Sequence, residues 1–228
     1  MKVKDIYRRV RWCFDEEALN VSNLAGVTGG DNDLMNNIIK DKIGAALRWI
    51  CLYAPAEQLS GGGDSDGDGI DIVVDDSGSL SEDKRISLGK NFIRLIRVRV
   101  EGWHRAIMGE SLLKEDSDEY LQLMDENGAY ATNDRPQAAL IETAEKCVEV
   151  WPHQNGDTYE LTKLVMPSSE DLSGITENSS IGVPALLEAA FIYYLAFLVL
   201  SAYADGRAAR MLEIARMSLG QTEDRQRI

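Results

Sequence analysis

Histidine is nearly absent from this chain, and so is any arrangement that would give one catalytic work. Among 228 residues there are two, His104 and His153, and neither stands in a ligand or base spacing. No G-x-S-x-G, H-E-x-x-H, Walker phosphate loop or G-x-G-x-x-G occurs. Gly61–Gly63 is followed by acidic residues where a phosphate loop needs Gly-Lys-Ser/Thr. Cysteine is scarce and odd in number. Cys13, Cys51 and Cys147 lie far apart without a C-x-x-C, which reads as buried thiols of a reducing compartment. Positive charge is in the minority: 24 Lys and Arg against 38 Asp and Glu leave a net charge of −14. Such a balance excludes a nonspecific grip on nucleic-acid phosphates, which needs clustered cations. The first ten residues carry no apolar core of the kind a signal peptide has. Together these absences predict a protein that is not an enzyme and takes no cofactor.

What the chain does have is apolar material, 44% of its residues, and one concentrated run of it. Ala185–Ala204 contains a single charge, Glu188. A helix of that composition must be wrapped on nearly all sides, by protein or by lipid. Asp205-Gly206 then marks a break, and Arg207–Leu219 follows with a mixed surface. The pattern predicts an αα-hairpin. Its apolar helix is read as a core or inter-subunit helix, with a membrane anchor formed by 185–204 as the alternative.

Upstream, Val3, Ile6, Tyr7, Val10, Cys13 and Phe14 share one helical face, and a second amphipathic helix carries Met35, Ile39, Ile43, Ala46, Ile50 and Tyr53 before Pro55. Asp31 or Asn32 is read as its N-cap. The middle of the chain changes period. Ile96, Val98 and Val100 alternate with Arg97, Arg99 and Glu101, as on a half-exposed strand. Two more strands are expected at 146–151 and 158–166, paired as a hairpin through Asn155-Gly156. The expected fold is therefore α+β, a helical bundle from the N- and C-terminal helices with an inserted antiparallel β-rich segment. Its parts would be helices over 1–59, the insertion over 60–182, the hairpin over 183–220 and a docking tail over 221–228.

Three features could carry chemistry. Asp64, Asp66 and Asp68 alternate before Gly69, with Asp75 at the twelfth position, like an EF-hand calcium loop. Asp71 stands where that loop has an apolar residue, and Asp75 where Glu is usual. The segment is read as a solvated, mobile acidic loop without resident metal; a calcium-binding module over 64–75 is the alternative. Arg207, Arg210, Glu213 and Arg216 recur every three residues on the last helix, a basic stripe suited to a subunit contact on an acidic protein. The segment after Leu219 is polar and carries Arg225, Arg227 and Ile228, two charges and an apolar anchor that suit docking on a partner.

The order of these elements resembles the head-to-tail adaptor proteins of tailed bacteriophages. Pro184–Leu219 is most similar, with its Tyr193-Tyr194-Leu195-Ala196 core and the Asp205-Gly206 break. Glu119-Tyr120 through Arg135-Pro136, leading into Ala138–Ile141, is similar to the adaptor pattern before a central strand. The style is that of ring proteins of crAss-like and short-tailed phages, while the long acidic insertion departs from compact adaptors. The resemblance implies a structural protein of the virion neck, made in the bacterial host cytoplasm. It implies a homo-oligomeric ring, typically twelvefold, below the portal protein. Such a ring extends the DNA channel, lets DNA pass without specific binding, and is a platform for tail or further ring proteins. Arg207, Arg210, Arg216, Arg225, Arg227 and Ile228 would then be portal or subunit contacts, with no membrane involved.

Overall fold

The structure is a computed structural model that describes residues 1–14, 30–59, 69–125, 128, 130–142 and 145–220. In chain order the elements are α1 (Val3–Trp12), α2 (Gly30–Tyr53), α3 (Ala56–Leu59), β1 (Ile70–Asp71), β2 (Val73–Ser79), β3 (Arg85–Ser87), β4 (Phe92–Val100), β5 (Ile107–Met108) and β6 (Leu113–Lys114). They continue as α4 (Asp118–Asp125), β7 (Gln137–Ile141), β8 (Cys147–Trp151), β9 (Thr158–Val165), α5 (Ser169–Ser173), β10 (Ile181–Gly182), α6 (Glu188–Ala202) and α7 (Ala208–Ser218). Residues 1–72 with 166–228 form one unit, and 73–165 a second.

The architecture corrects the expected helical bundle with one antiparallel insertion. Among the described residues there are seven helices and ten strands in three sheets, and two of the pairings, β1–β10 and β6–β7, are parallel. Several strands lack the usual alternation of strand-forming residues, which hides them from a periodicity argument. Val73–Ser79 reads Val-Val-Asp-Asp-Ser-Gly-Ser, yet it pairs with β9 along its whole length. Cross-strand partners compensate for its poor propensity: Thr162 Oγ1 donates to Asp75, and the nearly buried Lys163 donates to Asp76 Oδ2 at 3.1 Å.

The expected 146–151/158–166 hairpin is also corrected. Both strands exist, but β8 pairs with β3 and β7, while β9 pairs with β2 and β4. The turn at Asn155-Gly156 does form, with Gly156 at φ +93°. Its backbone is engaged elsewhere: Gly156 N donates to Leu80 O at 3.0 Å, and Leu80 N donates to Asp157 O at 2.8 Å. A tight turn is a local property, and these longer-range bonds tie it to the end of β2.

In the second unit the sheets run β2-β9-β4-β5 and β3-β8-β7-β6. Val98 and Val100 from β4, Leu161 from β9, and Val148 and Val150 from β8 fill one apolar core. Register shifts in β4 beside Phe92 and between Leu95 and Arg97 break the strict alternation, so consecutive Leu95 and Ile96 are both buried. The opposite face of β7 and β8 is covered by Tyr120 and Leu123 of α4. Every residue of β8 is consequently buried, Glu149 included.

In the first unit α1, α2 and α7 pack around α6. The first-turn amides of α1, which have no partner inside the helix, are satisfied by the carbonyls of Ser179 and Glu177: Val3 N and Lys4 N donate at 3.0 and 3.1 Å. Ile39, Ile43, Ala46, Leu47 and Ile50 give α2 its buried face. Helix α2 already runs from Gly30, so the backbone of Asp31 and Asn32 lies within it and not at its flank. Pro184 leads through a 3-10 turn, Ala185–Leu187, into α6. The run Ala185–Ala202 is long and apolar enough to cross a membrane by length and composition. Phe191, Leu195 and Val199 are nonetheless fully buried by protein, and the Tyr194 ring stacks on Trp49 of α2 at 4.1 Å. A helix wrapped in this way does not favour the membrane alternative.

Candidate docking groove

The three walls of the candidate site are α1, α6 and α7. Helix α1 turns its apolar residues inward and leaves Arg8, Arg9 and Trp12 on the outside, with Trp12 58% exposed beneath the Arg8 guanidinium, 5.3 Å from its ring centroid. Arg9 Nη1 donates to Glu188 Oε2 at 2.6 Å. Glu188, the single charge of the apolar run, thus pins α6 to α1 while its carboxylate sits at the positive end of the α6 dipole.

The turn between α6 and α7 is built on Ala204, which adopts φ +52°, and Asp205 N reaches back to Leu200 O at 3.1 Å. Asp205 then accepts from Arg207 three ways: from its Nε at 3.0 Å, its Nη2 at 2.8 Å and its backbone N at 2.8 Å. Those bonds from the Arg207 side chain and backbone hold the Asp205 carboxyl down at about 2. Arg207 Nη1 also donates to Phe14 O at 2.6 Å, clamping the turn to the end of α1.

Between these walls lies a groove of about 450 Å³. Trp12, Tyr193 and Ile214 give it an apolar lining, and Arg9, Arg207 and Arg210 bring three guanidiniums to it. Arg210 is exposed and has no ion-pair partner among the described residues. Cys13 also lines the groove, but burial pushes its thiol up to about 11, despite the opposing charge of Arg9, and its Sγ donates to Arg9 O at 3.4 Å. A thiol held up in this way stays protonated near neutral pH and is a weak nucleophile.

The structure separates the residues of the basic stripe. At about 100° per residue, each step of three rotates the side chain back by about 60° around the axis. Arg207 and Arg216 therefore end on opposite sides of α7. Arg207 and Arg210 reach the groove, whereas Arg216 lies near Tyr194 of α6, whose phenol is raised by burial and lowered by that charge. Asp75 lies on β2 with its carboxylate accepting from Thr162. Asp64, Asp66, Asp68, Arg225, Arg227 and Ile228 lie outside the described residues. Among the described residues no three His, Cys, Asp or Glu side chains gather as a metal would need. His104 is exposed and meets Asp134 Oδ1 at 2.5 Å.

Sequence reasoning missed Arg9, Trp12 and Glu188 as parts of one site. The lone Glu188 in an apolar run was the available signal, since a charge there needs a partner. It also missed Glu149, 1% exposed on β8, which accepts from Arg85 Nε and Nη2 at 2.8 Å each and from Tyr120 Oη at 3.1 Å. That network joins α4, β3 and β8 and serves as internal support. Compared with known families and curated proteins, the chain matches no family model and no curated protein.

Proposed function

We propose that this chain is a structural head-to-tail adaptor of a tailed bacteriophage. Copies form a ring below the portal protein in the virion neck, extend the DNA channel and carry tail or further ring proteins. The observation that carries the reading is the arginine-edged, aromatic-lined groove on the C-terminal hairpin of a chain whose net charge is −14. The Arg210 guanidinium, with no ion-pair partner among the described residues, favours acidic partner surfaces at the groove of an otherwise acidic molecule, whose remainder repels them. The same acidity suits a channel that lets DNA pass without gripping it. The element order that resembles adaptors supports the reading. Arg216, with Arg225, Arg227 and Ile228 of the C-terminal segment, is proposed to face the portal.

Co-expression with the portal protein of the encoding phage, followed by affinity purification through the portal, tests this. The expected product is a complex holding many copies of the chain per portal ring. Recovery of the portal alone, together with absence of the chain from purified virions, sinks the proposal.

A further inference from the structure

The groove has an obvious counterpart in the chain's own chemistry. Helix α4 carries no Lys or Arg, and exposed Glu115 and Asp116 precede it. It buries Tyr120 and Leu123 beneath itself. Its outer stripe is Asp118, Leu121, Gln122 and Asp125, at i, i+3, i+4 and i+7, all exposed. Leu121 is 53% exposed and Met124 42%. Asp118 and Asp125 stand about 10 Å apart along the axis, from seven residues at 1.5 Å each. The stripe is an apolar knob between two carboxylates. The groove is an apolar trough with guanidiniums along it, of which Arg9 and Arg207 already hold internal partners and Arg210 has no ion-pair partner among the described residues.

We propose that the groove of α1, α6 and α7 receives helix α4 of a second copy of this chain. Leu121 seats against Trp12, Tyr193 and Ile214, and Asp118 pairs with Arg210. The inference rests on the ring reading and specifies its subunit contact. Charge complementarity selects the occupant: an acidic helix with an exposed leucine meets an apolar-lined groove whose Arg210 has no ion-pair partner among the described residues, and each lies in a protein that supplies the other. The ring reading requires this contact to be made one way only, head to tail, so that it propagates and closes when the rotation allows; made reciprocally, the same two surfaces would stop at a two-fold dimer. Guanidinium–carboxylate pairs at the groove edge would set register, and the apolar seat would hold the copies together.

The test is sedimentation velocity of the full chain over a concentration series at low and high salt. Three variants accompany the wild type: Arg210→Glu, Asp118→Arg and the two combined. Both positions are exposed, so the fold tolerates each change. The expected result is concentration-dependent association that salt weakens, each single reversal weakening it by about tenfold or more, and the combination restoring most of the loss. Association that is indifferent to all three variants overturns the α4 contact and leaves the ring reading standing. A chain that stays monomeric throughout the series also overturns the contact, and the ring reading is then decided by the virion neck. Portal binding that requires Arg210 in such a monomeric chain makes the portal the occupant of the groove and overturns the second copy.

Discussion

Glu149→Ala will destabilise the protein, by an amount that the structure lets one assemble from parts. The carboxylate is buried and holds the buried Tyr120 hydroxyl at 3.1 Å and the Arg85 guanidinium at 2.8 Å. Its removal leaves the Tyr120 hydroxyl unsatisfied, which costs about 1–3 kcal/mol. Loss of side-chain packing on a strand covered on both faces adds about 1 kcal/mol. The ion pair itself adds less than about 1 kcal/mol, because the Arg85 side chain is 59% exposed and can turn to water. The sum is about 3 kcal/mol, or roughly a 6–12 °C fall in melting temperature for a chain of this size. Tyr120→Phe alone should cost about 1 kcal/mol. The double variant should be more stable than the sum of the two singles predicts by at least about 1 kcal/mol, since removing the hydroxyl removes the group left unsatisfied. The assay is calorimetric melting with urea titration of all four proteins. A Glu149→Ala change below about 0.5 kcal/mol, or strict additivity, would refute the reasoning. Burial and the neighbouring Glu149 carboxylate raise the Tyr120 phenol to about 12, so its absorbance should stay unchanged at the pH where exposed tyrosines ionise.

Other outcomes follow from single contacts. Gly109→Ala places a Cβ 1.9 Å from the Leu95 carbonyl oxygen, a backbone atom that no rotamer change can move, and should cost at least about 3 kcal/mol or abolish soluble expression. Ala204→Gly removes a left-handed alanine at the α6–α7 turn and should raise stability by about 0.5–1 kcal/mol in the same melts. The Asp205 carboxyl should titrate near 2 by NMR and return toward its ordinary 3.8 in Arg207→Ala. Because its folded value is depressed, its contribution to stability is present above the ordinary value and is lost as pH falls through about 2. A midpoint that does not move in the variant would remove Arg207 as the cause.

The helices α1, α2 and α6 were legible in the sequence because their apolar residues recur at helical spacing, and β4 was legible because Val98 and Val100 alternate with Arg97 and Arg99. Strand β2 was hidden because its acidic residues become tolerable only beside Thr162 and Lys163, which lie some 87 residues away. The Asn155-Gly156 turn was read correctly as a turn, but its backbone bonds with Leu80 and its flanking strands pair with other partners, which no local pattern shows. Spacing of three looks like one face on paper and drifts around a real helix, so Arg207 and Arg210 of the basic stripe line the groove while Arg216 does not. Arg9 and Arg207 are nearly two hundred positions apart, and only the packing of α1 against the hairpin makes them neighbours.

If the chain is the proposed adaptor, an electron cryomicroscopy reconstruction of the neck of the virion that carries it tests the central claim most directly. It should show copies of this chain closing a ring around the DNA channel beneath the portal, with α4 of each copy seated against Trp12 and Arg210 of the next. A neck in which this chain is absent, or present as a single isolated copy, contradicts the adaptor assignment.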